Sequence, residues 1–236
     1  MQIRSAALTD IGKIRRDNED RFVCDNMLQL YGVADGIGGL PGGAEAAQTA
    51  VTTLRDEVAA LPGGGPPNLV RLTHRVNRVV RALAEQISPL GMGTTLTYAI
   101  VRNRHLCLAH VGDSRCYRLR GGKLTVLTAD HTVENDILLR HEADELEMLD
   151  EMQRKSLTRC IGQQPAPEVD TLRMPLQPGD RYLFCTDGID KAVGEPELAA
   201  MLGGGREPQH ILGSLIAFAN DAGGKDNATG VLLFVE

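Results

Sequence analysis

The stretch TTLTYAIVRNRHLCLAHVGDSRCYRLRGGKLTVL, residues 94–127, decides the fold class. It holds four short runs rich in β-branched and aromatic residues, at 94–101, 105–111, 115–119 and 124–127. Asn103-Arg104 and Gly121-Gly122 separate two pairs of runs at the two-residue spacing of tight hairpins, where Asn and Gly tolerate positive φ. Runs joined this closely predict a meander, and a meander makes an antiparallel sheet.

Upstream, strands are predicted at 4–9, 21–25 and 28–35, with a tight turn at Asp25-Asn26 between the last two. Residues 44–61 and 69–87 then carry apolar residues at helical spacing, with Leu72, Val76, Val79, Val80 and Leu83 on one face of the second helix. The Pro- and Gly-rich residues 62–67 break the two helices apart. Downstream, a polar, helix-prone insert covers about 132–156, followed by strands at 168–174 and 181–186. Helices are predicted at 195–202 and 208–220, and a closing strand at 228–235. Helices set among antiparallel strands define an α+β chain, with one domain over 1–236 and two packed sheets carrying helices outside.

Composition narrows the function. With no Trp and only 3% aromatic residues, the predicted core is aliphatic. A net charge of −6 argues against a nucleic-acid partner, which would call for a basic face. The five cysteines, Cys24, Cys107, Cys116, Cys160 and Cys185, show no Cys-x-x-Cys spacing, which argues against a zinc site or a disulfide framework. No apolar run is long enough to span a bilayer and no signal-like start is present, so the expectation is a cytoplasmic protein without a membrane partner.

The chemistry lies in acidic residues spread along the chain beside Gly or Asn. They occur in Asn18-Glu19-Asp20, Val33-Ala34-Asp35-Gly36-Ile37-Gly38-Gly39, Val111-Gly112-Asp113-Ser114, Cys185-Thr186-Asp187-Gly188 and Lys225-Asp226-Asn227. Carboxylates that end apolar runs, with pliant backbone beside them, suit hard cations that prefer oxygen ligands. The adjacent Glu19 and Asp20 repel one another in any partly buried setting, which implies a compensating cation. Arg15 and Arg16 stand just upstream, and a guanidinium fork suits a phosphate oxyanion. Rival signals are missing: no P-loop, no Gly-x-Ser-x-Gly elbow and no histidines at metal-ligand spacing. The basic stripe Arg71, His74, Arg75, Arg78 and Arg81 is expected to be a solvated helix face.

In order along the chain, these segments resemble the type 2C metal-dependent serine/threonine protein phosphatases, in their compact bacterial form. Further matching blocks are Gly12-Lys13-Ile14-Arg15, Gly91-Met92-Gly93-Thr94-Thr95, Ala129-Asp130-His131 and Leu157-Thr158-Arg159-Cys160-Ile161-Gly162. The resemblance implies a four-layer αββα sandwich. It also implies that Asp35 bridges two divalent ions, Mn²⁺ or Mg²⁺, with help from the Gly36 carbonyl, Asp187, Asp226 and Glu19. Arg15 would hold the substrate phosphate, and Asp113 would help hold a third, weaker ion. Hydroxide held between the two ions would attack phosphoserine or phosphothreonine in line.

The implied partners are phosphorylated proteins, substrates of a bacterial serine/threonine kinase, and the chain is expected to be a monomer. Two positions depart from the family pattern. Ile37 stands where some members carry a histidine, and Lys191 where many carry an Asp, a cation that disfavours the third ion. The insert holds Glu142, Asp144, Glu145, Glu147, Asp150 and Glu151, and two readings stay open: a lid that favours basic phosphopeptides, or a solvated amphipathic helix. The competing reading is a catalytically silent metal-binding regulator that docks phosphoproteins.

Overall fold

Two five-stranded antiparallel sheets stack face to face in the computed structural model, which describes residues 1–37, 42–62, 65–87 and 92–236. The first sheet has the order β1-β10-β9-β6-β7. Its strands are Ile3–Asp10 (β1), Arg115–Arg120 (β6), Lys123–Val126 (β7), Arg181–Cys185 (β9) and Ala228–Val235 (β10). The second has the order β2-β3-β4-β5-β8, from Arg21–Asp25 (β2), Leu30–Ala34 (β3), Leu96–Arg102 (β4), His105–Val111 (β5) and Asp170–Pro175 (β8). Helices α1 (Gly43–Ala59) and α2 (Leu69–Ile87) cover the second sheet, while α6 (Glu195–Gly203) and α7 (Pro208–Asp221) cover the first.

The alternation of side chains along each strand makes three apolar layers from two sheets. Leu30, Tyr98 and Ile100 face α1 and α2, meeting Ala47, Leu54, Val76 and Val80. Tyr31, Val33 and Leu108 face the other way, against Tyr182, Phe184 and Val231 of the first sheet. Leu183, Cys185 and Leu232 complete the stack against Ile211, Leu212 and Leu215 of α7. Because both faces of the central strands are covered, β10 is buried along its whole length. The aliphatic core expected from composition needs one correction. All four tyrosines, Tyr31, Tyr98, Tyr117 and Tyr182, are buried with polar partners for their hydroxyls: Tyr31 donates to Asn26 Oδ1 (2.8 Å), Tyr182 donates to Asp180 Oδ2 (2.9 Å), Tyr98 meets Thr73 Oγ1 (3.0 Å) and Tyr117 accepts from Arg115 Nη1 (3.2 Å).

A second correction concerns the opening stretch. Its hairpin turns form as expected, with Asn103, Arg104, Gly121 and Gly122 all at positive φ. The four strands nevertheless do not make one meander. β4 and β5 pair in the second sheet, β6 and β7 in the first, and the chain crosses between sheets at Gly112-Asp113-Ser114. Gly112 makes the crossover possible: its φ is +112°, and a Cβ there would lie 2.6 Å from that of Thr95. His131 locks the turn from outside, donating from its backbone N to Gly112 O (2.8 Å) and accepting from Gly112 N at Nδ1 (3.1 Å).

The insert breaks into α3 (Val133–Leu139), a 3-10 turn (Ala143–Met148) and α4 (Glu151–Lys155), and Ile137 is the one residue of these three that is buried. The five cysteines are all free, three of them buried. The basic stripe of α2 is partly neutralised, Arg75 by Glu57 and Arg81 by Glu85.

Candidate active site

Register brings the acidic segments to one end of the sandwich. Arg21 pairs with Ala34, Leu96 with Val111, Asp10 with Ala228, and both Arg115 and Gly230 with Cys185. The ends of β3, β5, β9 and β1 and the starts of β2, β4, β6 and β10 therefore share one edge of the two sheets. There Arg15, Glu19, Asp35, Gly36, Asp113, Asp187 and Asp226 all line a single cleft of about 150 Å³. Ile37, Thr95, Leu157 and Asn227 complete its walls. Gly38, Gly39 and Gly91 lie outside the described residues.

Backbone bonds fix each carboxylate carrier. Asp35 N donates to Thr95 Oγ1 (2.9 Å), while Asp35 O accepts from Thr95 N and Thr94 Oγ1, each at 2.8 Å. Gly36 packs where a Cβ would meet Gly43 O at 2.4 Å, so α1 starts directly against the cleft floor. Asn227 is the hub of the far wall. Its Oδ1 accepts from Glu19 N (2.8 Å) and its Nδ2 donates to Ile11 O (2.9 Å) and Asp17 O (3.1 Å), tying the Arg15 loop to β10. Asp187 opens a short helix, α5 (Asp187–Asp190), whose Gly188 lies so close that a Cβ would fall 1.9 Å from Asn227 O.

The glutamate and aspartate of the Asn18-Glu19-Asp20 segment part company. Glu19 faces the cleft, whereas Asp20 is buried behind it, its Oδ2 accepting from Thr186 Oγ1 at 2.8 Å. Asp20 Oδ1 has no hydrogen-bond partner among the described residues. Thr95, Thr186 and Asn227 were not singled out as site residues from sequence. Thr95 and Asn227 adjoin or belong to the segments quoted above, so position beside an acidic or Gly-Thr block was the available signal.

So many carboxyls in one place strain each other. Burial, then the charges of Asp20, Asp187, Asp113 and Asp226, push Asp35 well above the usual carboxylate range. Burial also lifts Asp20 to about 7 and Asp113 to about 6, and raises Glu19. Two protein cations stand against this charge. Arg15 Nη2 bonds Asp226 Oδ2 at 2.7 Å, and Lys191 Nζ bonds Asp187 Oδ2 at 2.5 Å while lying 3.9 Å from Asp113 Oδ2. Burial opposes the Lys191 charge, but Asp187 and Asp113 outweigh it and raise that group to about 12.

The donor set fits a hard divalent cation: several carboxylates, backbone carbonyls, no sulfur, and a charge excess that two protein cations leave incompletely matched. The Asp35 carboxylate receives no hydrogen bond from any described residue, leaving its oxygens available. With Arg15 and Lys191 drawn in, no three His, Cys, Asp or Glu side chains among the described residues stand close enough to enclose one ion. Ile37 brings no proton donor to the cleft.

A two-sheet αββα sandwich with this acidic end defines a metal-dependent phosphoprotein phosphatase, and comparison with known proteins agrees. A family model described as Protein phosphatase 2C matches residues 12–206, and the chain belongs to that family. It is 35% identical over 234 residues to the serine/threonine phosphatase stp of Listeria monocytogenes, covering 95% of this chain and 93% of that protein. The PPM Ser-Thr phosphatase MsPP of Mycobacterium smegmatis, solved with cacodylate, is 33% identical, covers 100% of each chain and superposes with a TM-score of 0.87. The catalytic domain of the phosphatase PstP, solved with two manganese ions, is 30% identical with a TM-score of 0.84 and covers 99% of each chain. The protein is a serine/threonine protein phosphatase, and the silent docking regulator is set aside.

Proposed function

We propose that this chain hydrolyses phosphoserine and phosphothreonine on proteins phosphorylated by a bacterial serine/threonine kinase. Asp35, Asp187, Asp226, Glu19 and the Gly36 carbonyl would hold two Mn²⁺ or Mg²⁺ ions at the cleft. The observation that carries this is the meeting of these residues, drawn from loops more than 200 positions apart, on one small cleft. A bound pair of such cations supplies an acidified water near neutral pH and offsets charge on the phosphoryl oxygens. The chain's own part is positional. Asp35 sits between the other carboxylates on a backbone fixed by Thr94 and Thr95, Asn227 holds the Glu19 and Asp226 segments together, and the Arg15 fork is aimed into the cleft by Asp226. With Asp226 serving a bound cation, the Arg15 fork would be available to hold the phosphate dianion of the substrate. Lys191, seated between Asp187 and Asp113, opposes a third ion at Asp113. No segment calls for a second subunit, and we assign a cytoplasmic monomer.

The test is hydrolysis of p-nitrophenyl phosphate and a phosphothreonine peptide with Mn²⁺, stopped by a chelator. Asp35→Asn is expected to lower turnover at least about 100-fold and to weaken Mn²⁺ binding measured by calorimetry. Near-normal turnover and metal affinity in that variant would refute the assignment.

A further inference from the structure

Next to the catalytic cleft, and sharing Asp187 and Asp226 with it, lies a second hollow of about 460 Å³. Its rim carries three lysines from three separate elements: Lys155 at the end of α4, Lys191 just after α5, and Lys225 ahead of β10. Small residues such as Ala219 form the floor, so a side chain can enter without displacing bulky neighbours. Lys191 is committed to Asp187, but Lys225 is exposed and its ammonium has no hydrogen-bond or ion-pair partner among the described residues. Among the described residues Lys155 pairs only with Glu151, one turn back on α4.

Glu151 shows what this rim attracts. Although fully open to solvent, its carboxyl is held below the ordinary glutamate range, first by Lys155 and then by the charges of Lys225 and Lys191. An acidic side chain of the insert thus pairs with one of the three lysines and feels the charge of the other two. Three other acids of the insert have partners of their own. Glu142 and Glu145 flank Arg140, and Asp150 caps α4 in a reciprocal bond with Gln153.

We propose that this hollow is a docking subsite for an acidic side chain of the phosphoprotein, placed beside the phosphorylated residue, with Lys155 and Lys225 setting the preference. The subsite rests on the phosphatase reading above, and it reverses the preference for basic phosphopeptides that one of the two readings of the insert gives. Glu151, paired with Lys155, competes with the substrate carboxylate for that lysine.

The experiment compares kcat and KM for matched phosphothreonine peptides carrying Glu, Gln or Lys at flanking positions on either side, each normalised to p-nitrophenyl phosphate. The wild-type protein is expected to favour Glu over Gln about fivefold on one side, chiefly through KM, as one exposed charge pair allows. The preference should shrink at high salt. Lys155→Gln with Lys225→Gln should bring the ratio to about one, and Glu151→Gln should increase it; thermal melting confirms that each variant is folded. A wild-type preference for Gln or Lys peptides, or a ratio unchanged in the double variant, overturns the subsite. Failure of the wild-type protein to hydrolyse any substrate with Mn²⁺ would instead overturn the catalytic reading, and the subsite with it.

Discussion

Arg15 shows how one side chain serves two states of the site. It neutralises Asp226 at 2.7 Å, and that bond, against the opposing effect of burial, raises its already high pKa. Its charge is therefore permanent, and what changes is the anion it faces. Arg15→Ala is expected to raise KM for phosphopeptides about tenfold or more, the loss of one charge-assisted contact, with a smaller effect on kcat. Steady-state kinetics in Mn²⁺ would check this, and an unchanged KM would show that another group binds the phosphate. Arg15 was legible in sequence as a phosphate fork beside an acidic pair, but its partner was not, because Asp226 is 211 positions away. Glu19 and Asp20 illustrate the same limit. Adjacent carboxylates look equivalent in sequence, yet in the fold one faces the cleft and the other is buried against Thr186.

Among the elements, α5 matters most for its size. Four residues are too few for any periodic signal, so Asp187 appeared only as the end of a strand. In the structure the α5 turn presses Gly188 against the Asn227 backbone, which brings Asp187 and Asp226 to one wall. Gly188→Ala would put a methyl 1.9 Å from Asn227 O, a contact only backbone movement can relieve. The expected result is a loss of about 1–3 kcal/mol in stability together with a loss of activity larger than the melting shift explains, measured by denaturant unfolding and by turnover at a temperature where the variant is folded. Wild-type activity in that variant would mean the spacing of these two loops is not critical. The β5–β6 connection is the other element that sequence misassigned. Val111-Gly112-Asp113 resembles a hairpin turn locally, and the choice to cross between sheets depends on His131 and Thr95, which meet Gly112 only after folding.

For the whole molecule, the cluster of carboxyls makes stability depend on pH and on cations. Burial pushes Asp20 to about 7 and Asp190 to about 8, the latter despite Arg115 at 3.1 Å. Because these folded-state values are raised, the native state holds protons that the unfolded chain has lost, and the stability they confer disappears as pH climbs through each value. His110, buried beside His131 and lowered to about 4, is neutral in the native state while the unfolded imidazole loses its proton around pH 6.5, so it offsets only a small part of this. The melting temperature in a chelator is therefore expected to fall by several degrees between pH 6.5 and 8, and Mg²⁺ or Mn²⁺ should reduce the fall. A melting temperature that rises over that range would contradict the electrostatic account.

The sequence alone determined the elements that rest on local rules. α2 at Leu69–Ile87, β5 at His105–Val111 and β10 at Ala228–Val235 stand where apolar period and turn residues put them. It also determined the chemical type of the site, since oxygen ligands beside Gly and Asn are a property of residue identity. Tertiary structure alone decided which carboxylates meet, which one is buried behind the others, and that lysines from α4, α5 and the β10 approach gather beside them. The reason is range: backbone preference and hydrophobic period act over a few residues, whereas charges from distant loops act on one another only once sheet register has brought their ends to a common edge.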